Sequence, residues 1–171
     1  MGTIRYRVEQ FLRAVTARRS LSQESNKIEQ MLDVLPPAGR ELFYRQAPQD
    51  QRHALDVCEA LRQAGYTNPD LMAAALLHDV GKAAAQLPAW VRGVLVLSEQ
   101  LAPRVLGDPL QSYEPFGAYA EHAEIGARWA KAAGCSPLTV ALIRRHQEDL
   151  TSPQGEEERL LAALQAADRQ C

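Results

Sequence analysis

Apolar residues recur along this chain at intervals of three and four, the spacing of one helix face. Ile4, Val8, Phe11, Leu12 and Val15 predict a helix over Ile4–Arg18. Ile28, Met31, Leu32 and Leu35 predict a second over Ser22–Leu35, which Pro36-Pro37 ends because proline cannot continue a helix interior. A third is expected over Ala38–Gln46 and a fourth over Gln49–Ala64, opened near Pro48 and closed by Gly65. Asn68-Pro69-Asp70 caps a fifth, Leu71–Val80, so uniformly apolar that it reads as central. Further helices are expected over Pro88–Leu101, over Phe116–Ala133 with Gly134 as its stop, from Ser136-Pro137 to Gln147, and over Glu156–Gln170, with an irregular crossing from Ala102 to Pro115. No alternating strand pattern appears. The pattern predicts an all-α fold, a single-domain bundle of roughly eight to nine helices.

Composition narrows the class without naming it. A length of 171 residues fits one domain. Nineteen basic against 21 acidic side chains leave a formal charge of −2, which carries no strong nucleic-acid signal and no attraction to an anionic membrane. Charges interrupt the N-terminal stretch every few residues, so no signal peptide is expected. The run Val94-Leu95-Val96-Leu97 is far shorter than a membrane helix requires. Three cysteines with no CxxC pair argue against a disulfide framework, and a cytoplasmic location is the expectation.

The candidate chemistry lies in the four histidines, His53, His78, His122 and His146. Each falls on a different predicted helix and borders its apolar stripe, and Asp168 follows Leu161 and Leu164 in the same way. All four imidazoles are therefore expected to point inward, joined by an aspartate. One such histidine is usually a hydrogen-bonded core residue, but four need partners for eight ring nitrogens. Buried Asp79 and Asp168 would each cost several kcal/mol unless paired or metal-bound. Shared divalent cations satisfy all these groups together, and mixed imidazole–carboxylate sets suit first-row transition metals. The adjacent pair His78-Asp79 can flank one ion only where a helix ends, and Gly81 releases the chain there. Lys82 follows as a cation suited to phosphate.

The segment Leu76-Leu77-His78-Asp79-Val80-Gly81-Lys82 resembles the signature of the HD-domain metal-dependent phosphohydrolases. His53 resembles the family's first-helix histidine, Asp168 its closing aspartate, and His122 and His146 the two extra histidines of the binuclear members. The likeness spans about Gln49 to Asp168. It implies an HD domain over 48–171 with an N-terminal helical extension, 1–47, packed on it. It also implies two divalent ions, drawn from Mn, Fe, Mg, Zn, Ni or Co. The first would take His53, His78, Asp79 and Asp168, and the second Asp79, His122 and His146. The stretch Arg145-His146-Gln147-Glu148 lacks the second adjacent histidine and the Gly-Tyr-Pro of the cyclic-di-GMP branch.

The implied activity is hydrolysis of a nucleotide or other small phosphoester by a metal-bound hydroxide. Paired ions about 3.5–4 Å apart bring the pKa of bound water toward about 7 and clamp phosphate oxygens, so no protein nucleophile is needed. Asp79 and Lys82 are the implied catalytic residues, with Lys82 stabilising phosphate charge. Arg52, Arg144, Arg145 and Glu124 read as solvent-facing, and Trp90, Tyr113, Tyr119 and Trp129 as core residues rather than a base-stacking pocket. The competing expectations are a catalytically idle HD module that binds a nucleotide or a protein partner, and a single-metal site with His122 and His146 merely packed.

Overall fold

Proline sets where four of the helices begin. The computed structural model describes residues 25–85 and 121–171. Within them α2 (Pro37–Arg45), α3 (Pro48–Gln63), α4 (Pro69–Leu77) and α6 (Pro137–Arg145) each start on a proline, whose missing N–H is one the first helical turn leaves unpaired anyway. Asn68 caps α4 by accepting from the backbone N–H of Asp70 and Leu71, and Ser136 caps α6 by accepting from that of Thr139. The others are α1 (Ser25–Leu32), α5 (His122–Ala132) and α7 (Gly155–Gln170), and a 3-10 turn, η1 (Val80–Ala85), follows α4. The described residues contain no strand. The helices expected over Ile4–Arg18 and Pro88–Leu101, the irregular crossing, and Trp90, Tyr113 and Tyr119 lie outside the described residues.

Glycine sets two of the stops. Gly65 (φ +87°) and Gly134 (φ +83°) follow α3 and α5 in the left-handed region. Tyr66 then donates to Leu61 and Gly65 to Arg62, and Cys135 to Ala130 and Gly134 to Lys131. These bonds satisfy carbonyls that a helix end would otherwise orphan.

The chain closes around α4. Leu71 through Leu77 are all buried, so this helix presents apolar groups on every side. It packs against α2, α3, α6 and α7. One apolar core runs from Ile28 and Leu32 in α1, through Phe43, Val57, Leu76 and Ile143, to Leu161 and Leu164 in α7. Each fully buried Leu contributes about 1.5–3 kcal/mol relative to exposure. The described part of the segment before residue 48 shares this core. A polar brace joins the starts of α4 and α6, where Ser136 donates to the Asp70 carboxylate at 2.6 Å. Among the described residues no helix is long and apolar enough to cross a membrane.

Candidate metal centre

The six predicted ligands arrive from five places in the fold. His53 stands on α3, His122 is the first residue of α5, and Asp168 lies near the end of α7. His78 and His146 are the C-caps of α4 and α6. Asp79 sits between α4 and η1. This corrects two sequence boundaries: α4 ends at Leu77 rather than Val80, and α6 at Arg145 rather than Gln147. The reason is local. A helix leaves its last carbonyls unpaired, and here an imidazole takes one of them. His78 Nδ1 lies 3.0 Å from the Ala75 carbonyl, and His146 Nδ1 lies 2.7 Å from that of Ile143.

Those two bonds decide the tautomers. A carbonyl only accepts, so Nδ1 must carry the proton in each ring, and the neutral ring turns an Nε2 lone pair to the centre. A fixed Nδ1–H partner with a free Nε2 is the arrangement that orients histidine toward a metal.

The donor atoms form two groups. His53, His78 and Asp168 are one, and Asp79, His122 and His146 the other, with the offered atoms of each group within 4.8 Å of one another. In the first, His53 Nε2 is 2.8 Å and His78 Nε2 is 3.5 Å from Asp168 Oδ1. In the second, His122 Nε2 is 3.2 Å and His146 Nε2 is 3.8 Å from Asp79 Oδ1, and the two Nε2 atoms are 3.3 Å apart. Asp79 joins them: its other oxygen, Oδ2, lies 3.5 Å from His78 Nε2. That same oxygen is paired with Lys82 Nζ.

The electrostatics call for positive charge. His78 is almost wholly buried, and its Nε2 has no hydrogen-bond partner although carboxylate oxygens flank it. The Nε2 lone pairs of His78 and His146 face carboxylate oxygens across 3.5–3.8 Å and repel them unless a cation stands between. Burial works against the charged form of His78, yet Asp79 and Asp168 outweigh it and raise its pKa above the ordinary histidine value. Burial also works against the charge on Asp79, but His78, Lys82 and His122 hold that carboxyl well below the usual range. Asp168 is depressed in the same way, against burial, by its hydrogen bond with His53 and by the nearby imidazole of His78. His146 moves oppositely: burial, reinforced by the charge on His78, pushes it down to about 4. The orphaned Nε2 and the two-imidazole, one-carboxylate composition of each group fit divalent transition-metal ions.

All four imidazoles reach the centre, but only three of them are buried. The side chains of His78, His122 and His146 are at most 3% exposed, whereas His53 is 28% and Asp168 34% exposed. This side of the centre therefore meets solvent. The charged residues read as solvent-facing pair with each other at the surface. Arg144 bonds Glu124 at 2.7 Å, so Glu124 orients no imidazole. Arg145 bonds Glu148 and Glu157, and half-buried Arg52 bonds Asp56. Trp129 packs half-buried against the core.

Three supports escaped the sequence reading. Gln46 donates to the Leu76 carbonyl at 3.0 Å, pairing another open group at the end of α4. The Asp70–Ser136 bond fixes α6, and with it His146. Gly81 does more than release the chain, because its backbone touches the first turn of α5 at His122 and Gly126. Gly126 inside an otherwise helical pattern was the available signal of close backbone approach. No family model, curated protein or solved structure matches the chain.

Proposed function

We propose that this chain is a divalent-metal-dependent phosphohydrolase of the HD-domain type, acting on a nucleotide or another small phosphoester. The observation that carries the reading is the pair of adjoining His/Asp triads, bridged by the two oxygens of Asp79. Divalent ions bound there would supply an activated water and clamps on the phosphoryl oxygens.

The chain's own residues divide the remaining work. Ala75 and Ile143 hold the rings of His78 and His146 by their Nδ1 protons, so neither imidazole reorganises as a ligand enters. Asp79 offers one oxygen to each triad and remains ionised because its neighbours hold its pKa down. Lys82 reaches the edge of the first triad with a 21% exposed side chain, where an ammonium can neutralise an entering phosphate. The partial exposure of His53 and Asp168 supports approach of the substrate from that side.

The test is metal analysis of the purified protein, followed by a panel of nucleotides, dinucleotides and bis(p-nitrophenyl) phosphate with added Mn²⁺. Turnover that requires the metal supports the reading. Metal held without turnover on any phosphoester replaces it with an idle module that binds a nucleotide or a protein. Binding of a single ion, unaltered by His122→Ala, replaces the paired site with a mononuclear one.

A further inference from the structure

We infer that Gly81 and Gly126 are positioning residues that set the distance between the two halves of the second triad, and so decide whether the centre holds one ion or two. The inference rests on the metal-binding reading above and deepens it.

The contact is backbone against backbone. A Cβ built on Gly81 would lie 2.0 Å from the His122 carbonyl oxygen and 2.8 Å from the Gly126 amide nitrogen, where approaches under 3.0 Å are essentially never found. Those two groups are residues i and i+4 of α5, the spacing of a backbone hydrogen-bond pair within the helix. The obstacle is thus the helix itself rather than a side chain that could swing away. A Cβ on Gly126 would meet the Gly81 nitrogen and Val80 Cγ1 at 3.3 Å and Ile143 Cγ2 at 3.4 Å, a tighter than usual but yielding contact. The same junction is therefore strict at Gly81 and graded at Gly126.

The residues beside the junction belong to the second triad. Asp79 is two residues before Gly81, and His122 carries both the obstructing carbonyl and the imidazole 3.2 Å from Asp79 Oδ1. Relieving the clash at Gly81 requires α5 and η1 to separate by about 1 Å. Metal–ligand distances tolerate about 0.2 Å. The first triad lies farther from this movement, since His53, His78 and Asp168 stand on α3, at the end of α4 and on α7, none of them on α5 or η1, and only the shared Asp79 links it to the junction. A methyl group at Gly81 should therefore empty one site and spare the other.

The experiment measures Mn²⁺ and Zn²⁺ binding by calorimetry and elemental analysis on the full chain, with circular dichroism confirming the helical fold. Wild type, Gly81→Ala, Gly126→Ala and His122→Ala are compared, with Leu32→Ala in α1 as a core variant that destabilises without touching the junction. Gly81→Ala should retain the first ion at wild-type affinity and lose the second, reproducing His122→Ala. Gly126→Ala should weaken the second alone, by about 10–100-fold. Leu32→Ala should bind both. Two ions at full affinity in folded Gly81→Ala overturns the inference, and so does equal weakening of both sites. Should Gly81→Ala fail to fold, Gly126→Ala decides by the same split. A wild-type protein that binds no metal instead overturns the functional reading itself.

Discussion

His53, His78 and Asp168 on one side of the centre, and Asp79, His122 and His146 on the other, each offer two imidazole nitrogens and one carboxylate. Their surroundings differ. The first triad has two members about a third exposed, and its supports are helices in the body of the bundle. The second is buried at every member, and a tight backbone contact between η1 and α5 lies beside it. Identical donors in unequal surroundings do unequal work. On the proposed reading, the open triad would admit water and a phosphoester. The closed one, in a drier and less screened environment, exerts the stronger field on whatever it holds.

The largest effect should come from the residue the two triads share. Asp79→Asn removes a carboxylate charge from both, so both ions should weaken, and hydrolysis should fall by on the order of 10³-fold, read from kcat/KM with saturating Mn²⁺. Loss of only one ion would show that Asp79 belongs to one triad alone. Single-triad variants come next: His122→Ala and Asp168→Asn should each cost one equivalent of metal, with the surviving site bound within about tenfold of wild type. Elemental analysis after dialysis reads this directly, and loss of both ions in either variant would erase the distinction. Lys82→Met should keep both ions and slow hydrolysis by about 10²-fold, with a fall in inhibition by inorganic phosphate. Unaltered phosphate inhibition would reassign Lys82 to holding Asp79 only.

The smallest effect is one of pH, on the metal-free protein. His146 has a folded-state pKa of about 4, below its unfolded value. Between those values the unfolded chain binds the proton and the folded one does not, so stability drawn from His146 is full at neutral pH and is lost as pH falls toward 4. His78, raised in the folded state, has the opposite sign: its contribution is full in acid and is lost as pH rises through its folded value. Urea midpoints with a chelator present, taken from pH 4 to 7 on wild type and His146→Gln, isolate the first. The difference between the two proteins should grow with pH by at most roughly 3 kcal/mol. A difference that does not change with pH would place His146 in water.

Much of this comparison was legible in the sequence. The all-α architecture followed from apolar spacing, and helix starts from Asn68-Pro69 and Ser136-Pro137, because capping and proline chemistry are local. The meeting of His53, His78, Asp79, His122, His146 and Asp168 could be anticipated, since four inward imidazoles and two aspartates need shared partners. What distinguishes the triads could not. The unequal exposure of His53 and His122 depends on how α3, α5 and α7 pack, which a single strip of helical periodicity does not encode. The end of α4 at Leu77 depends on the His78 side chain taking a carbonyl of its own helix, which propensity does not register. Gly81 reads in the sequence as a helix breaker, and only the packed structure shows what stands where its side chain would be.

The most direct test of the account is the number of ions per chain. Wild-type protein loaded with Mn²⁺ or Zn²⁺, freed of excess metal and assayed by elemental analysis, should hold about two equivalents, and about one after His122→Ala or Asp168→Asn. A wild-type chain that holds none, or one that holds two in the absence of His122, would contradict it.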